Sequence, residues 1–122
     1  MRNAILPAML LATLTVPALA DNYPVSGQWG QSSSGEQGAI DCSGKRVIAF
    51  NGNQRTDSKG GVPTYRNKSV TQQGPSRWRV VDIFTTGQVS YAYATYTLHQ
   101  IDADHIELNL QPGGTVKLRR CK

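Results

Sequence analysis

RWRVVDIFTTGQVSYAYATYTLHQIDADHIELNLQPGGTVKLRRCK, residues 77–122, reads as four strands joined by three short turns. In residues 77–85, Trp78, Val80 and Phe84 alternate with Arg77, Arg79, Val81 and Ile83, the period of two that separates the faces of a strand. Thr86-Gly87 turns the chain into residues 89–101, a run rich in Tyr and Thr, types that suit a pleated surface. Asp102-Ala103-Asp104 is a polar turn into residues 105–110, where Ile106, Leu108 and Leu110 share a face. Gln111-Pro112-Gly113-Gly114 turns the chain again, into residues 115–121 with Val116 and Leu118 pointing inward. Consecutive strands linked this tightly predict an antiparallel meander.

Upstream the signals are sparser. Residues 26–32, around Trp29, form a first strand, and residues 46–51 a second with Ile48 and Phe50 on one face. Asn51-Gly52 is a tight-turn signal, residues 53–63 read as loop, and residues 64–71 carry a faint strand pattern. No window after the N-terminus sustains a helical period. The expected fold is all-β: a small antiparallel meander barrel of six to eight strands, closed because closure removes exposed edges.

The N-terminus places the chain outside the cytoplasm. Arg2, an apolar run over residues 5–16 and the small-x-small Ala18-Leu19-Ala20 form a secretory leader, with cleavage after Ala20 and a single barrel domain over residues 21–122. The apolar run is short and interrupted by Pro7, so no membrane span is expected. The expected location is periplasmic or secreted. Cys42 and Cys121 are the only cysteines, and in an oxidising compartment they are expected to pair. The bridge would close a loop of 79 positions, about 4 to 5 kcal/mol in the chain-entropy description. Loss of Arg2 lowers the basic residues from 13 to 12 against 8 acids, which favours anionic surfaces or acidic partners and falls short of a nucleic-acid binder.

Gly27-Gln28-Trp29 near the start and Arg120 near the end resemble the calycin arrangement of lipocalins and related barrels. That resemblance implies a tryptophan covered by a basic residue from the last strand. Asp82 shares the parity of Trp78, Val80 and Phe84, and a buried carboxylate needs a partner. Arg120 is the expected partner, which makes Trp29, Arg120 and Asp82 a barrel-closing group. The alternative keeps Trp29 as ordinary core, Arg120 in solvent and Asp82 at a bulge. Ser26-Gly27-Gln28-Trp29 is also similar to small exported bacterial metalloprotease inhibitors, eight-stranded barrels that block a protease cleft with their N-terminal residues. The G-x-W-G start, early cysteine and terminal R-C look like those of short exported bacterial proteins.

Residues able to carry catalysis are few. His99 and His105 are the only histidines, and across a hairpin centred on Ala103 they neighbour Asp102, Asp104 and Glu107. Polar hairpin ends usually carry such residues for solvation, so no metal is assigned. There is no G-x-S-x-G elbow, H-E-x-x-H or phosphate loop. The chain is therefore expected to be non-enzymatic and without cofactor. Tyr91 and Tyr93, with Arg77 and Arg79, form the candidate partner surface. The basic and aromatic mixture Arg77-Trp78-Arg79, Tyr65-Arg66 and Lys68 is read as a solvated face, not a nucleic-acid site. Ala92 and Ala94 leave interior space for Trp29 or for a small apolar ligand. These readings describe an exported, monomeric binding protein for an unidentified protein or small apolar ligand. The alternative is an inhibitor of a protease or other exported enzyme, acting through residues 21–25.

Overall fold

Alternating apolar residues become the inward row of each strand. In the computed structural model, which describes residues 22–33, 35 and 37–122, eight strands run in sequence order. They are β1 (Gly27–Gln31), β2 (Val47–Asn51), β3 (Gln54–Asp57), β4 (Tyr65–Gly74), β5 (Arg77–Phe84), β6 (Ala92–Asp102), β7 (His105–Gln111) and β8 (Gly114–Arg120). Each pairs antiparallel with its neighbours, and β1 pairs with β8 to close the barrel. The leader expected over residues 1–20 lies outside the described residues, as does Asp21. No helix among the described residues is long and apolar enough to cross a membrane.

Residues 53–63, expected as loop, contain β3. Gln54-Arg55-Thr56-Asp57 has no apolar residue to mark an inward face, and the inward position is held by Arg55. The strand exists because the two-residue turn Gly52-Asn53 folds it onto β2, pairing Phe50 with Arg55 and Asn51 with Gln54. Gly52 takes a φ of 65°, a conformation that favours glycine. The faint strand at residues 64–71 is one of the longest, and bulges between Asn67 and Ser69 and between Gln72 and Gly74 interrupt its alternation. β6 begins at Ala92, later than expected, because residues 86–89 form a turn closed by the Thr86 amide donating to the Val89 carbonyl at 3.0 Å.

The interior is filled by side chains. Trp29, Ile48, Phe50, Val80, Tyr96, Leu98, Ile106, Leu108, Val116 and Leu118 form the core. The chain preceding β1 adds Tyr23 and Val25 to it. The Tyr23 amide donates to the Gly52 carbonyl at 3.1 Å, and its ring meets Phe50 edge-on at 4.9 Å. Ala94 pairs with Asp82 across β5 and β6, so the space left by this alanine lies beside a carboxylate. Trp29 is placed elsewhere, on β1 opposite Ile48 and Arg120.

Head and tail of the barrel are tied together on the outside. Ile40 forms a parallel bridge with Cys121, its amide donating to the Arg120 carbonyl and its carbonyl accepting from Lys122, both at 2.9 Å. The Cys42–Cys121 disulfide joins this segment to the end of β8, with Cα atoms 5.6 Å apart. Such a bond is compatible with an oxidising, exported compartment.

Candidate functional site

The first strand and the last meet at one end of the barrel. The Arg120 guanidinium lies over the buried Trp29 indole, 4.4 Å from the ring centroid, an arrangement worth roughly 0.5 to 2 kcal/mol depending on desolvation. The Trp29 indole N–H donates to the Ser26 carbonyl at 3.1 Å, and Arg120 Nη1 reaches the same oxygen at 3.4 Å. Arg120 also donates to the Ala103 carbonyl from Nε and Nη2, at 3.3 and 3.0 Å, and pairs with Asp104 at 3.4 Å. The expected link from Arg120 to Asp82 is therefore not made. Arg120 turns toward the β6–β7 hairpin, whose carbonyl and carboxylate satisfy it at the surface.

Asp82 is fully buried and has other partners. Its Oδ1 accepts from the Tyr23 hydroxyl at 2.9 Å and from Asn67 Nδ2 at 3.3 Å. Its Oδ2 accepts from Arg55 Nε at 2.8 Å and from the Tyr96 hydroxyl at 2.9 Å. Four donors from the N-terminal segment, β3, β4 and β6 thus satisfy one carboxylate on β5, which makes burial of the charge tolerable. Burial, reinforced by the neighbouring Asp82, pushes the Tyr23 phenol well above its ordinary range, and burial does the same to Tyr96. For Arg55, burial works against the charge, but Tyr96 and Asp82 outweigh it and raise its pKa.

Arg55, Tyr23 and Asn67 were not expected at a site. Arg55 was legible in principle: a two-residue turn after Asn51 places it opposite Phe50 and on the same face. Tyr23 left no such signal, because it precedes the first strand and its role depends on how that segment crosses the barrel. Asn67 sits at a bulge, where alternation fails.

The barrel end formed by the ends of β3, β5 and β7 and the starts of β4 and β6 carries an open groove of about 280 Å³. Arg55 and Tyr96 contribute to its lining, with Tyr65, Phe84, Leu110 and Pro112 along the walls and Tyr93 at the side. The Arg55 guanidinium stacks on the Tyr65 ring, 3.9 Å from its centroid, and lies 4.9 Å from that of Tyr96. Phe84 meets Tyr65 edge-on at 5.1 Å. At the rim Arg46 grips Asp57 through two hydrogen bonds of 3.0 and 2.7 Å. Burial tends to raise the Asp57 pKa, but the Arg46 hydrogen bonds hold it below the usual carboxylate value.

The candidate partner surface is divided. Tyr91 and Tyr93 are 64% and 62% exposed, and Tyr93 shares its end of the barrel with the groove. Tyr93 pairs with Ile83, whereas Arg77 and Arg79 pair with His99 and Thr97 farther along the same two strands. Four residues of strand, about 13 Å, separate Arg79 from Ile83. The cation that approaches Tyr93 is Lys68, 5.9 Å from the ring centroid. His99 stands opposite Glu107, and His105 opposite Asp102 and Arg119. Among the described residues no group of three or more His, Cys, Asp or Glu side chains is placed to hold a metal. Compared with models of protein families, with curated proteins and with solved structures, the chain matches none.

Proposed function

We propose that this chain is an exported, non-enzymatic binding protein that engages a protein partner at the aromatic end of a calycin-like barrel. The observation that carries this reading is the exposure of Tyr93 beside a groove whose walls are Tyr65 and Phe84, with the exposed Tyr91 at a neighbouring cleft that shares Phe84. Exposed tyrosines next to a concave surface with aromatic walls are the composition of an interface core. A carrier role for the barrel interior has less support, since Trp29, Phe50, Tyr96 and the aliphatic core occupy that space. An inhibitory arm over residues 21–25 has less support too, since Tyr23 and Val25 are part of the core.

The test is capture of proteins from an extract of the producing organism on immobilised chain, read by mass spectrometry against a Tyr91→Ser, Tyr93→Ser variant. A partner retained by the native chain and lost by the variant is the expected result. The same set of proteins on both, or none on either, would overturn the proposal.

A further inference from the structure

We infer that the groove at the aromatic end is a carboxylate site, built to receive the C-terminus of a polypeptide whose last residue is apolar. This rests on the reading of that end as the binding end and names the chemical group bound there.

Arg55 is only 3% exposed, yet its donors are not all used. Nε donates to Asp82 and the guanidinium also meets the Tyr23 hydroxyl, which leaves most of its five N–H groups without a further acceptor among the described residues, and Arg55 lines the groove. A guanidinium presents a planar fork of donors, and the acceptor that matches a fork is a carboxylate with two oxygens. Asp82 already neutralises Arg55 from below, so what the groove lacks at its floor is hydrogen-bond acceptors. Around the groove Arg46, Arg55 and Lys59 outnumber Asp57 and Asp82 by one, which suits a single negative charge better than a multiply charged phosphate.

The walls specify what carries that charge. Tyr65 is held against the guanidinium and Phe84 against Tyr65, with Leu110 and Pro112 also lining the groove. An apolar side chain next to the carboxylate would cover these surfaces, whereas an ion hydrated on every side would leave them wet. The groove holds about 280 Å³, enough for the end of a chain and too little for its length. Tyr93 lies at its side, and the exposed Tyr91, just before β6, lines a neighbouring cleft that shares Phe84 with the groove, where the preceding residues of a partner would cross. A small free acid would use the floor and leave this tyrosine rim uncovered.

The inference is tested by NMR titration of the purified chain with three probes: acetyl-Ala-Ala-Phe as the free acid, the same peptide as its C-terminal amide, and phenylpropionate. The free acid should shift the Arg55 Nε–H, Tyr65 and Tyr93 signals and bind at least about tenfold more tightly than the amide. Because Arg55→Gln alone leaves Asp82 buried without its counter-charge, the variant of choice is Arg55→Gln with Asp82→Asn. It should remain folded by its amide spectrum and lose the difference between acid and amide. Equal binding of acid and amide, or no shift with any probe, overturns the inference. Phenylpropionate binding as tightly as the peptide acid overturns the chain terminus as occupant. If the Tyr91 and Tyr93 substitutions abolish partner capture while acid and amide bind alike, the carboxylate assignment fails and the binding-end reading stands. Selective binding of the acid with partner capture indifferent to those tyrosines has the opposite meaning.

Discussion

A methyl group at Gly30 would collide with the disulfide. The position has no unusual backbone conformation, but a Cβ there would run into Cys42 Sγ and lie 3.3 Å from Cys42 Cβ and 3.6 Å from Ile40 Cδ1. The sulfur is tethered to Cys121 and cannot swing away as the tip of a flexible side chain would. Gly30→Ala is therefore predicted to cost about 1 to 3 kcal/mol, the scale of overpacking a tight contact. Gly87→Ala is the control, since a Cβ there meets nothing within 4 Å, and its stability should stay within about 0.5 kcal/mol of the native chain. Equal denaturation midpoints for the two variants would refute the contact. The second glycine of the G-x-W-G start thus has a steric reason, and that reason lies in a cysteine a dozen residues later.

At the scale of elements, β3 and the segment before β1 show where sequence patterns stop being informative. Strands β7 and β8 were legible because most of their inward residues are apolar and most of their outward residues polar, and β5 because Trp78, Val80 and Phe84 keep the period of two around the inward Asp82. β3 has the same geometry with an arginine facing in, and a pattern that registers apolar residues passes over it. β4 was half legible for a different reason, since each bulge shifts the parity of the residues after it. The N-terminal segment carries its own prediction through Tyr23. An unfolded tyrosine ionises near pH 10, whereas burial and the adjacent Asp82 keep Tyr23 protonated above that. The folded pKa is raised, so the contribution is fully present below about pH 10 and is lost as pH rises beyond it. Each tyrosine of this kind steepens the loss by up to about 1.4 kcal/mol per pH unit, and Tyr96 adds to it in the same direction. Tyr23→Phe should be less stable at neutral pH and should lose stability more gradually above pH 10. Urea denaturation at a series of alkaline pH values measures both slopes, and parallel slopes would show that Tyr23 does not sense the carboxylate.

For the whole molecule, the closing seam is short, with fewer register pairs than any other except β3–β4, and the disulfide reinforces it. The β1–β8 seam has three register pairs, Trp29 with Arg120, Gly30 with Arg119 and Gln31 with Leu118, whereas β5 and β6 share eight. Replacing Cys42 and Cys121 by serine removes a cross-link over 79 positions, predicted to cost about 2 to 5 kcal/mol. Hydrogen exchange should report the loss first in β1 and β8, with β5 and β6 retaining protection. Loss spread evenly over the barrel would mean that the bridge does not guard the seam. The order of strands in the C-terminal half, the all-β class and the pairing of the two cysteines were determined by the sequence alone. They depend on alternation between near neighbours, on turn residues, and on each cysteine having a single possible mate. The partner of Asp82 was decided only in three dimensions, as were the filling of the interior by Tyr23 and the distance between Arg77, Arg79 and the exposed tyrosines. Parity says which residues point inward, but which inward residues meet depends on the register of every strand around the closed barrel, and that register is a property of the complete circuit.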